Sequence, residues 1–184
     1  MNFKKNMIFI TLVTVFSLLF ATGALADTKT NDISITVQSG EFTVTTSNIN
    51  PFGEITLKET AETYTTSFAN AFTIKDLRGT QEGWRLDVEA SQFTSGTHAL
   101  PVGSLSLAPI ESITGSGPLP TISTTENVII DNGKVEIAKA EAGKGMGMFE
   151  LTFPNDALSL VVDATTAKVG TYESTLSWTL VAAP

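Results

Sequence analysis

The chain has no cysteine, a single histidine, and only 11 Lys plus Arg against 19 Asp plus Glu in 184 residues. The missing cysteine excludes disulfides, thiolate nucleophiles and thiolate metal sites, so the fold must be held by packing alone. The one histidine, His98, lies between Thr97 and Ala99 in a Gly-rich stretch with no partner motif, and is expected to be solvated rather than catalytic. The acidic excess excludes nucleic acid as a partner, because displacing counterions from a phosphate backbone needs a basic face. It also opposes long-range attraction to anionic membranes or polymers, an effect screened beyond about 8–10 Å at physiological salt. Any affinity for such surfaces must come from short-range hydrogen bonds and aromatic stacking.

Long apolar runs are scarce as well. The one run, Met7 to Ala21, follows Lys4 and Lys5 and precedes Ala24-Leu25-Ala26, the layout of a helical export signal with a small-x-small cleavage pattern. The run is short for a bilayer-spanning helix, which needs roughly 20 residues. Residues 1–26 are therefore read as a signal peptide and residues 27–184 as one domain beginning at Asp27, with no membrane insertion once the signal is removed. The domain carries a net charge of −10, since the leader takes two lysines with it. Val181-Ala182-Ala183-Pro184 has no hydrophobic tail, basic stop or sorting motif, so surface retention is expected to be non-covalent.

No stretch of the domain keeps a 3.6-residue apolar stripe for three turns, whereas Thr, Val, Ile and Phe alternate with polar residues between Gly and Pro breaks. The reading is all-β, an antiparallel β-sandwich of about ten short strands, immunoglobulin-like or related. Ile33, Ile35 and Val37 predict a first strand, Phe42 and Val44 a second, and Ile55 and Leu57 a short third. Ser91 to Thr125 is broken by Gly or Pro every few residues and reads as a long loop with one strand at Leu105 and Leu107. Asp131-Asn132-Gly133-Lys134 between Val128-Ile129-Ile130 and Val135-Glu136-Ile137 predicts a hairpin, because Asn-Gly tolerates positive φ. The same residues fit a turn better than a calcium loop, which needs several spaced oxygens. Gly143, Gly145 and Gly147 match neither the phosphate loop nor the dinucleotide fingerprint and read as a flexible connection.

The two tryptophans stand in runs that echo each other, Gly83-Trp84-Arg85-Leu86-Asp87-Val88 and Leu176-Ser177-Trp178-Thr179-Leu180-Val181. A strand has a side-chain period of two, so Trp84 and Leu86 share one face, as do Trp178 and Leu180, while Arg85 and Thr179 point the other way. The runs are 92 residues apart, too far for a hairpin, and can meet only through tertiary folding.

Together with Asp76-Leu77-Arg78-Gly79-Thr80, Gly145-Met146-Gly147 ahead of Phe149, and Gly170-Thr171-Tyr172, these motifs resemble the WxL-domain proteins of Gram-positive bacterial surfaces over essentially the whole domain. Arg85 departs from the uncharged residue more usual there. The resemblance implies non-covalent attachment to the cell wall through peptidoglycan, beside other WxL-type surface proteins and their membrane-anchored partners. It implies no enzyme activity and no cofactor.

Trp84, Leu86, Trp178, Leu180, Arg85 and Thr179 are the candidate binding residues, with Asp87 adjacent. Core packing in the sandwich, where an aromatic side chain buries about 150–250 Å², is the favoured role for each Trp and does not exclude a ligand contact at its edge. No catalytic or metal-ligating set stands out. A pair of acids for glycoside hydrolysis is not singled out among the 19. Two other functions compete with wall binding: docking on a membrane-anchored surface partner that supplies the wall retention, and hydrolysis of wall glycans.

Overall fold

The computed structural model describes residues 33–183; the expected signal peptide lies outside them. The described residues form fourteen strands and no helix. In chain order these are β1 (Phe42–Thr45), β2 (Glu62–Thr66), β3 (Phe72–Asp76), β4 (Trp84–Ala90), β5 (Thr94–Ser95), β6 (His98–Ala99) and β7 (Leu105–Leu107). There follow β8 (Ser112–Gly115), β9 (Thr121–Ile122), β10 (Val128–Ile129), β11 (Val135–Ala140), β12 (Gly147–Thr152), β13 (Leu158–Val162) and β14 (Leu176–Ala182). Three four-stranded antiparallel sheets, ordered β1-β3-β12-β8, β10-β7-β13-β2 and β14-β4-β11-β9, enclose one core, and β5-β6 forms a separate ribbon.

The alternating pattern explains which side chains enter that core. Phe72 and Ile74 of β3, Leu86 and Val88 of β4, Phe149 and Leu151 of β12 and Leu158 of β13 are each at most 2% exposed, while their odd-numbered or even-numbered neighbours face outward. The fold is thus the expected all-β sandwich-like body, with more strands than the ten expected. The additional ones are two to four residues long and sit at sheet edges, where short strands limit edge-to-edge pairing with other chains.

Several sequence expectations are corrected. Ser91–Thr125 is not an open loop: β5 to β9 lie within it, and its prolines fall between the strands rather than inside them. Ile55 and Leu57 form no strand; the Thr-rich segment after them does, as β2, whose Tyr64 and Thr66 turn inward beside β13 while Thr63 and Thr65 face water. Ile33, Ile35 and Val37 belong to no strand and are 96%, 88% and 84% exposed.

The Asn-Gly hairpin is overturned too. β10 pairs with β7 while β11 pairs with β4, so Asp131–Lys134 carries the chain from one sheet to another. Gly133 has the expected positive φ, 108°. What redirects the chain is Asp131, 6% exposed, whose carboxylate accepts hydrogen bonds from the backbone amides of Gly103, Ser104 and Leu105 at 2.9, 3.0 and 3.2 Å. A local turn preference loses to three charge-assisted bonds made across 26 to 28 residues.

Asp131→Ala strands these amides and is expected to cost on the order of 3 kcal/mol. That lowers the melting temperature by roughly 6–12 °C, measurable by circular dichroism. A fall no larger than that of an exposed Asp→Ala control, such as Asp156→Ala, would show that the turn stands on its own.

Candidate functional site

The two Trp-bearing strands are hydrogen-bonded neighbours. β14 pairs with β4 along its whole length, with Trp178 opposite Val88, Leu180 opposite Leu86 and Ala182 opposite Trp84. Residues directly opposite in an antiparallel pair project to the same face, so Trp84, Leu86, Trp178 and Leu180 all lie on the inner face. Arg85, Asp87, Glu89, Ser177, Thr179 and Val181 lie on the outer face. The tryptophans are four residues out of register, about 13 Å along the strands, and each meets a different environment.

Trp84 is 1% exposed, and its indole N–H donates to the carbonyl of Gly145 at 2.9 Å. That bond accounts for the glycines of residues 143–147. Gly145 has φ +72°, and a Cβ there would collide with the Ala140 side chain and lie 2.6 Å from the Trp84 nitrogen. The Gly145 amide in turn donates to the Pro118 carbonyl at 3.1 Å and the Gly143 amide to that of Gln81 at 2.8 Å. The connection read as flexible is therefore pinned on both sides as a cover over the indole.

Trp178 is half-buried at the other end, its ring centroid 4.8 Å from Phe72, 5.9 Å from Phe68 and 6.0 Å from Phe153. The near-perpendicular contact with Phe72, 83° between planes, is a favourable edge-to-face geometry.

The turn leading into β4 is locked by charge. Asp76, 2% exposed, accepts from Arg78 Nε at 2.9 Å and from Arg78 Nη2 at 2.8 Å, a bidentate pair. The same Nη2 donates to the carbonyl of Gly83, and the guanidinium lies 3.9 Å from the ring centre of Phe42. These bonds explain Asp76-Leu77-Arg78-Gly79: the acid and the arginine clamp the turn, and Gly79 and Gly83 take φ +75° and +86°. The hydrogen bonds from Arg78 hold the Asp76 carboxyl below its ordinary value despite burial, and Asp76 raises the Arg78 guanidinium in return.

On the outer face, Asp87 is buried while its partner Arg85, 3.1 Å away through Nε, has its side chain 53% exposed. Across from them on β11 stand Glu136, whose Oε1 accepts from the Ser123 hydroxyl at 2.8 Å, and Lys139, 3.0 Å from Glu141. A shallow groove of about 170 Å³ runs between these side chains, its lining including Arg85, Glu136, Lys139, Glu141 and Val181. The groove thus mixes both signs of charge beside apolar carbon.

The structure thus brings all six candidate residues into one β-ribbon but divides them. Trp84 and Leu86 are buried, Trp178 and Leu180 half-buried, and Arg85 and Thr179 reach the outer face. Glu136, Lys139 and Glu141 were not foreseen at the site; only the sheet order brings β11 beside β4. His98 is not simply solvated. It is half-buried, with Nε2 2.7 Å from the Thr166 carbonyl oxygen, which places a proton on Nε2, and its ring meets Tyr172 edge-on. Among the described residues no three His, Asp or Glu side chains are grouped to hold a metal.

The described residues thus form an all-β body whose paired Trp strands turn their aromatics inward and present a largely polar outer face. A family model described as "WxL domain surface cell wall-binding" matches residues 23–184, and the chain belongs to that family. It is a surface cell-wall-binding domain of the kind the family describes, a binding family rather than one of enzymes. No curated protein and no solved structure matches the chain.

Two outcomes follow from this geometry. Trp84→Ala empties the pocket under residues 143–147 and is expected to cost about 3–5 kcal/mol, read by chemical denaturation; a loss below about 1 kcal/mol would mean that the indole does not hold the fold. Because the folded Asp76 pKa is depressed, its stabilisation is complete above the ordinary value of 3.8 and is lost as pH falls through the folded pKa. Arg78→Ala leaves the Asp76 carboxylate buried and is expected to cost about 3 kcal/mol at pH 7, with the difference from the native protein shrinking below pH 4. A difference that stays constant down to pH 2 would contradict the clamp.

Proposed function

We propose that the chain is exported, cleaved before Asp27, and attached non-covalently to the peptidoglycan of a Gram-positive wall through the outer face of β4, β14 and β11, without catalysing a reaction. The observation that carries this reading is the mixed-charge groove beside Arg85 and Lys139 on a sheet made rigid by its buried inner face. Peptidoglycan stem peptides carry carboxylates and amines close together on a flexible chain. Arg85 and Lys139 suit the carboxylates, Glu136 and Glu141 the amines, and Thr179 a hydroxyl or amide. On this reading the tryptophans act by fixing the sheet rather than by stacking on sugar. Val181, on the outer face of the edge strand, is the apolar side chain that lines the groove beside these charges.

A second reading is favoured by the net charge of −10, which opposes approach to an anionic wall. In it the same face docks on a membrane-anchored surface protein, and wall retention is borrowed from that partner.

Co-sedimentation with purified, partner-free peptidoglycan separates the two. The folded domain is expected to pellet at physiological salt. The pair of substitutions Lys139→Glu and Thr179→Val, both outside the core, is expected to reduce the pelleted fraction roughly tenfold, the loss of about 1.4 kcal/mol, with the melting temperature nearly unchanged. A native domain that stays in the supernatant with bare peptidoglycan and pellets only with walls carrying surface proteins would favour the docking reading. Release of soluble muropeptides would revive hydrolysis.

A further inference from the structure

A second, larger cleft lies beyond the groove and reaches β14 only at Leu176. It measures about 1430 Å³ and runs between residues 49–57 and 167–176, with Leu158, Leu160 and Val162 of β13 in its lining and Phe52, Phe93 and Tyr172 among its walls. Neither bordering segment is a strand for most of its length; Ile49 and Glu173 make only isolated bridges, to Phe68 and Thr94. β13 is paired on both edges, with β2 and β7, and its Leu158, Leu160 and Val162 form a buried floor, so the opening lies between the two bordering segments.

Elsewhere, the same chain carries a strand without a sheet. Ile33-Ser34-Ile35-Thr36-Val37-Gln38 alternates apolar and polar residues, is free of charge and glycine, and has four of its six residues of types favoured in strands. Its three apolar side chains are 96%, 88% and 84% exposed. An uncharged, alternating and unpaired segment of this kind is a template for strand addition unless something covers it.

We propose that Ile33–Gln38 of one copy inserts as an added strand into the Phe52–Tyr172 cleft of a second copy, so that the protein assembles head to tail. The two surfaces match in chemistry. Six extended residues span about 20 Å and offer three apolar side chains on one face, and the cleft offers partly exposed apolar groups, Phe52, Ile55, Leu57 and Tyr172 among them. The absence of charge in the segment avoids burying an unpaired ion beside Glu54 and Glu173, which border the cleft. A strand on one surface and its seat on another is a heterologous contact, which propagates into a chain of subunits instead of closing as a symmetric dimer. Such a chain would multiply weak wall contacts through avidity. The inference does not depend on which wall component the outer sheet face binds.

The lack of native cysteine makes the test clean. The domain beginning at Asp27 is prepared with Ile35→Cys and, separately, with Val169→Cys, a cleft residue 98% exposed. The two are mixed and treated with a short bis-maleimide, with Lys134→Cys as the remote control. A crosslinked heterodimer of Ile35→Cys with Val169→Cys, not formed with Lys134→Cys, is expected. Combining Ile33→Asp with Ile35→Cys is expected to reduce that product at least about tenfold, the effect of one large apolar side chain, without lowering the melting temperature. Ladders of dimer, trimer and higher species are expected from a chain carrying both cysteines. If that double-cysteine chain crosslinks only within itself, or if the native domain remains monomeric by light scattering at every concentration and the mixed pair gives no product above the control, the proposal is overturned.

Discussion

Seven consecutive cross-strand pairs joining Trp84–Ala90 to Leu176–Ala182 are the constraint on which the rest depends. The ladder closes the domain late in the chain, since β14 is the last strand. Closing so long a segment adds little entropy beyond a shorter one, because that term grows only with the logarithm of length. The gain is a sheet in which Leu86 and Val88 are buried and Leu180 and Trp178 close the edge. Non-local pairing of this kind is slow to form, so the domain is expected to fold late around this ribbon.

Each end of the ribbon is secured by something outside it. At the Trp84 end, the Arg78 guanidinium ties the Asp76 carboxylate to the Gly83 carbonyl, and Gly145 receives the indole N–H. At the other end, Phe68, Phe72 and Phe153 receive Trp178. These segments are therefore the parts of one joint: the acid-arginine turn, the glycine cover and the two Trp strands. The outer face is free to carry Arg85, Lys139 and their carboxylate neighbours because the inner face and its supports hold the sheet in shape.

Much of this was legible in the sequence. The alternation around Trp84 and Trp178 gave the correct inward and outward faces, because a half-buried strand writes its burial directly into period-two hydrophobicity. The Trp-Leu echo pointed to strands that meet, although no local signal states which strands are neighbours. That is why Glu136 and Lys139, brought in by β11, went unseen. Failures came where tertiary bonds outweighed local preference. Asp131 turned an Asn-Gly hairpin into an inter-sheet crossing. The alternation of Ile33 to Val37 suggested a strand where none forms. The Thr-rich β2 was missed because a one-sided edge strand needs few apolar residues, here Tyr64 alone.

The most direct test of a sheet held from inside and read from outside is nuclear magnetic resonance of the folded domain titrated with soluble peptidoglycan fragments. The expected result is movement of the Arg85 Nε–H and the Thr179 and Lys139 amide signals, while the Trp84 indole N–H stays in place and protected from exchange. Loss of protection at the Trp84 indole on binding, with Arg85 and Thr179 unmoved, would contradict it.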